Sequence, residues 1–97
     1  MKYNVVYDDE YDKVDVIDVP PVLKYDFYWI YRYFLDLEPE EFEEKFWFRD
    51  LYGRRCIGVN TDLFVEWVNE RYCSGKEKIV ILEKGVPFCP NYPVIEF

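Results

Sequence analysis

The chain has 97 residues, of which 51% are hydrophobic and 22% aromatic, and a formal net charge of −8. That length holds one core and not two, and so large an apolar supply excludes a disordered chain despite the charge. Histidine is absent, which removes the side chain that titrates near neutrality, the commonest metal ligand and most nucleophile–base pairs, so the composition disfavours an enzyme.

The negative charge is confined to one half. Residues 1–44 hold thirteen acids against four bases, giving −9, while residues 45–97 hold seven against eight, giving +1. A general nucleic-acid binder would show the opposite sign, because phosphate affinity comes mainly from Lys and Arg. An acidic half-domain repels nucleic acid and attracts basic surfaces, and it also keeps an aromatic-rich protein soluble. No apolar run approaches the ~18 residues of a membrane span, so no membrane partner is expected. The opening MKYNVVYDDE carries no apolar signal region, which sets the cytoplasm as the expected compartment.

In chain order, KYNVVY (2–7) and KVDVIDV (13–19) are rich in β-branched and aromatic residues. They predict an N-terminal β-hairpin around a five-residue acidic loop, DDEYD. Val14 and Val16 would face one side, and Asp15, Ile17 and Val19 the other. Pro20-Pro21 ends the second strand. From Val22 to Leu37 the chain suits either period. Length decides for a helix, because a strand of that length would be far above the usual five or six residues. Its core stripe would be Leu23, Phe27, Ile30, Phe34 and Leu37, widened by Tyr31. Pro39 followed by Glu40, Glu41, Glu43 and Glu44 predicts a second helix over 39–48, with Phe42 and Phe46 on one side. LYGRRCIGVN reads as a loop or short strand. Asn60 or Thr61 would cap a third helix running to Tyr72, with Phe64, Trp67 and Val68 buried and Gly75 as its C-terminal glycine. KIVIL (78–82), apolar on both faces, reads as a central strand that turns at Lys84-Gly85. PVIEF is left as a short edge strand after Pro87, Pro90 and Pro93. The fold class is therefore α+β: an N-terminal hairpin, two to three helices, and a C-terminal strand pair completing a small antiparallel or mixed sheet, all in one domain over residues 1–97.

Few constellations carry chemistry. Asp8, Glu10 and Asp12 alternate as a calcium loop begins, but Lys13 and Val19 stand where that loop needs Gly and Glu. Cys56, Cys73 and Cys89 have no C-x-x-C spacing, so reduced thiols are expected first and one disulfide second. Gly53-Arg54-Arg55 matches no phosphate-binding pattern. No cofactor and no metal are expected.

The segment YDFYWIYRYF (25–34) is the exception. Its core stripe accounts for Phe27, Ile30, Tyr31 and Phe34 and leaves Tyr25, Trp29 and Tyr33, four apart in turn, on the opposite side. Tyr and Trp dominate interface hot spots, so these three are candidate partner-binding residues. Glu40, Glu41, Glu43 and Glu44 join them. On a helix Glu40 and Glu44 would repel each other at i, i+4, a surplus of charge that suggests an external basic partner.

The acidity, the Tyr, Val and Glu richness and the missing Gln together resemble the compositional style of small acidic proteins from viruses of thermophilic archaea. That resemblance implies a host nucleic-acid-handling or defence complex as the basic partner. The leading expectation is thus a non-enzymatic interaction protein that binds a basic protein surface. A homodimeric structural or assembly protein using the aromatic helix face is second. A small nucleic-acid-binding module using Arg54 and Arg55 is third.

Overall fold

Strands β1 (Lys2–Tyr7) and β2 (Glu10–Asp18) form the N-terminal antiparallel hairpin in the computed structural model, which describes residues 1–97. The expected five-residue loop is a two-residue turn. Asp8 and Asp9 both adopt positive φ, 49° and 57°, a conformation whose twist suits a tight hairpin and which Asp tolerates better than most residues. β2 therefore extends to Glu10. Between the pairs Val5↔Asp15 and Tyr7↔Glu10 it carries three more residues than β1, taken up as a bulge.

The aromatic segment is helical, as its length implied, but the helix is shorter than 22–37. Pro20-Pro21 starts a 3-10 turn (Pro21–Leu23), and α1 follows over Phe27–Leu35. At its other end Pro39 forces Glu38 into an extended conformation, φ −80° and ψ 153°, which closes off the helix. Leu23, Phe27, Ile30 and Phe34 are buried, with Tyr31 and Leu37 half-buried beside them. Each such side chain contributes roughly 1.5–3 kcal/mol of transfer free energy.

The second helix expected over 39–48 does not form. In its place are two 3-10 turns, Pro39–Glu41 and Glu44–Phe46, separated by extended Phe42 and Glu43 and followed by strand β3 (Trp47–Arg49). A continuous helix would have set four carboxylates within five positions around one short cylinder. The break keeps Phe42 and Phe46 buried and lets Glu43 and Glu44 reach separate arginines. β3 pairs with β4 (Arg55–Ile57) in a small separate hairpin. Gly53, at φ +75°, supplies the left-handed residue of its turn.

Helix α2 (Thr61–Tyr72) begins as expected, with the Asn60 side chain accepting the Leu63 N–H at 2.8 Å. Phe64, Trp67 and Val68 are buried, and Leu63, Val65 and Thr61 with them. Gly75 is not its C-terminal glycine. The helix ends at an extended Cys73, and Gly75, at φ +60°, turns the chain between bridged Ser74 and Glu77.

β5 (Val80–Val86) and β6 (Val94–Glu96) complete a mixed sheet of order β5-β2-β1-β6, with β6 parallel to β1. β5 is an edge strand, not the central one its hydrophobicity suggested, and Val80 and Leu82 face solvent. Lys84-Gly85 lies inside β5, where Gly85 adopts φ +64° at a bulge.

The sheet is covered on both faces. α1, α2 and the 39–46 segment pack on one, around sixteen buried residues, where Phe34 meets Phe42, Phe64, Trp67 and the half-buried Phe97 at 5.0–5.6 Å between ring centroids. On the other face Asn4, Val6, Val14 and Val16 are buried, and Asn4 bonds to segment 87–93. The fully buried Asn4 amide donates to the carbonyls of Cys89 and Tyr92 and accepts the Cys89 N–H.

Candidate interaction surface

The outer side of α1 carries two of the three aromatics singled out by the sequence, Trp29 and Tyr33, and Tyr25 lies in the turn just before the helix. Tyr25 is 83% exposed, Trp29 70% and Tyr33 55%. Tyr28, which the four-residue spacing passed over, is also exposed and meets Trp29 edge-on at 5.4 Å. The inner stripe of α1 is filled by the core, and no element covers the outer side. At the foot of α1 an apolar cleft of about 280 Å³ opens between Tyr3, Val19, Pro20 and Phe27, with Lys24 on its rim.

The carboxylates have separate tasks. Glu41 accepts the Glu38 N–H at 2.7 Å, capping its own 3-10 turn. Glu43 accepts from Arg71 at 2.7 Å and lies 3.9 Å from Lys45. Glu44 pairs with Arg55. Glu40 is exposed and makes no ion pair. The i, i+4 repulsion expected of Glu40 and Glu44 has no counterpart, because the two lie in different turns. Phe42 anchors this segment on the core side of α1 by packing on Phe34, whereas Tyr25 and Trp29 point outward. One chain of contacts links the two sets. Tyr33 stacks on Trp67 at 6.0 Å, the Arg71 guanidinium lies 4.8 Å over Trp67, and Arg71 holds Glu43.

The arginines of the β3–β4 hairpin are engaged as well. Arg54 pairs with Asp50 at 2.8 Å, Arg55 lies 4.3 Å over Trp47 while holding Glu44, and Arg49 donates to the Gly53 carbonyl. Asp50 accepts the N–H groups of Arg54 and Tyr52, and these bonds, the Arg54 N–H foremost, hold its carboxyl below the usual range. Leu51 and Tyr52 at the hairpin tip are exposed.

A second polar cluster was not legible. Tyr7 Oη meets Thr61 Oγ1 where α2 begins, Thr61 donates to Asp15, and Asp15 also accepts the Gly85 N–H at 3.1 Å. Burial is the main cause raising the Tyr7 hydroxyl above its ordinary value. Each group has a partner, so the cluster fixes α2 to the sheet. Cys56, Cys73 and Cys89 are half-buried free thiols, and no three of the cysteines and carboxylates converge as a metal site would require. No helix is long and apolar enough to cross a membrane. No family model, curated protein or solved structure matches the chain.

Proposed function

We propose that this is a non-enzymatic interaction protein that binds a basic protein surface, with the outer face of α1 as its anchor. The observation that carries the reading is the set Tyr28, Trp29 and Tyr33, left open on a helix whose other side is fully used by the core, with exposed Tyr25 in the turn before it. Large aromatics spend little conformational entropy on contact and supply most of the energy at interface hot spots. The charge of the chain selects the class of partner, since residues 1–44 carry −9 and oppositely charged proteins steer toward one another. A nucleic-acid module is disfavoured because the net charge is −8 and the carboxylates of Asp50 and Glu44 stand beside Arg54 and Arg55, opposing a phosphate backbone. Within this reading, a host complex that handles nucleic acid is a suitable class of basic partner.

Trp29→Ser tests it. The residue is exposed, so folding should survive while partner capture from lysate falls about 30-fold, the factor for a hot spot of roughly 2 kcal/mol. The captured proteins should be basic and should dissociate at high salt. Capture that is indifferent to both the substitution and the salt would refute the reading. A concentration-dependent dimer that Trp29→Ser dissolves would replace it with a homodimeric assembly protein.

A further inference from the structure

The chain has twenty acidic residues, and none of them lines the cleft of about 280 Å³ at the foot of α1. Local rules build that cleft. β2 ends at Asp18, and Pro20-Pro21 carries the chain toward α1, so two rings of fixed φ form one wall. Val19 and Phe27, 3% and 2% exposed, form the floor. The half-buried Tyr3 ring, 4.7 Å from Phe27 between centroids, forms the other wall. The backbone around it is already bonded. Val19 N–H donates to the Met1 carbonyl, Leu23 N–H to that of Pro20 and Lys24 N–H to that of Pro21. Two polar side-chain groups remain. Burial raises the Tyr3 hydroxyl above its ordinary value, with no hydrogen bond contributing, so it stays a neutral donor. Lys24 makes no ion pair, and its ammonium lies 5.5 Å over the Tyr25 ring.

We propose that this cleft is a binding site for a small aromatic carboxylate, with the ring on the apolar floor and the carboxylate on the Lys24 ammonium. An apolar hollow with a few polar groups at its edge is the usual form of a small-molecule site. Size sets the ligand. A dry apolar cavity of about 150 Å³ holds benzene, so about 280 Å³ leaves room for one ring with a short acid side chain. Tyr3 and Phe27 favour an aromatic body over an aliphatic one, because ring pairs gain from edge and offset contacts. Charge sets the head group. Lys24 is the one charged side chain in the lining and has no carboxylate of its own, so an acid completes it and an amine is repelled. The site stands apart from the outer face of α1 and does not rest on the proposed protein partner.

Hydrocinnamate is the probe, titrated into the isotope-labelled intact protein and followed by amide NMR shifts. The expected result is saturable shifts centred on Tyr3, Val19, Lys24 and Phe27. Hydrocinnamide, the same shape without the charge, should bind about tenfold more weakly, the low end for a hydrogen bond between charged groups. Lys24→Met, an exposed substitution that spares the fold, should weaken hydrocinnamate by the same factor and leave hydrocinnamide unchanged. Trp29→Ser should alter neither. Equal binding of acid and amide, or indifference to Lys24→Met, would reduce the cleft to an apolar hollow and overturn the proposal. So would a titration that never saturates, shifts centred on Trp29, or loss of binding in Trp29→Ser.

Discussion

Asn4→Leu is the most demanding perturbation, because one fully buried side chain holds segment 87–93 against the second face of the sheet. The substitution keeps an unbranched Cβ and a similar size but removes three hydrogen bonds: Asn4 Nδ2 to the Cys89 carbonyl at 2.8 Å, Nδ2 to the Tyr92 carbonyl at 3.1 Å, and Cys89 N–H to Oδ1 at 3.2 Å. Each contributes about 1 kcal/mol net, so the expected loss is about 3 kcal/mol, a large part of the 5–15 kcal/mol typical of a whole domain. At this size that lowers Tm by roughly 12–24 °C. The backbone bond from Asn4 N–H to the Pro93 carbonyl, 2.9 Å, survives and keeps β6 in register. Urea unfolding should show a lower midpoint at unchanged slope, and Cys89 should alkylate faster as the segment loosens. A loss under about 1 kcal/mol with Cys89 reactivity unchanged would refute the argument, and would assign the segment to apolar contacts such as Tyr11 on Phe88.

Acid should act on the β3–β4 turn. The Asp50 carboxyl is depressed chiefly by the Arg54 N–H, so its support is complete above its ordinary 3.8 and is lost as pH falls through its lower folded value. Asp50→Asn should flatten the pH dependence of amide exchange in residues 50–54. Alkali should act on the sheet–α2 contact. Burial raises Tyr7 above 10.0, so its contribution is complete below 10.0 and is lost as pH rises through the folded value. In a spectrophotometric titration Tyr7→Phe should remove a late tyrosinate step. Burial also raises the Cys73 thiol above its ordinary 9.0. Iodoacetamide should therefore modify it more slowly than a cysteine in an unfolded peptide, and an equal rate would contradict the burial.

The sequence was most legible along the helices. Asn60 followed by the Phe64, Trp67, Val68 pattern located α2, and once length had decided between the two periods that residues 22–37 suit, the helical one separated the buried from the open side of α1. It failed where tertiary context overrode a local rule. Pro39 with four glutamates is a sound helix start, but the strand beginning at Trp47 and the arginines that draw Glu43 and Glu44 apart lie outside that window. KIVIL reads as central because both faces look apolar. Only the topology shows that β1 and β2 take the interior positions and that β5 is left at the edge. The Asn4 and Asp15 clusters were invisible because their partners are up to 88 positions distant.

That separation also sets a schedule. The β1–β2 hairpin is local and can close within about 1–10 μs of its residues being available. Closing the loop from Asn4 to Tyr92, 88 positions apart, carries an entropic term of about 4 kcal/mol and cannot begin until Tyr92 exists. At roughly 5–20 residues per second the first hairpin waits several seconds for the strand and loop that cover it. Throughout that interval Val6, Val14 and Val16 stand bare beside an unpaired β1 edge. The nascent chain is thus open to holdase chaperones, and to pairing with its neighbours on a crowded message, until Tyr92 arrives.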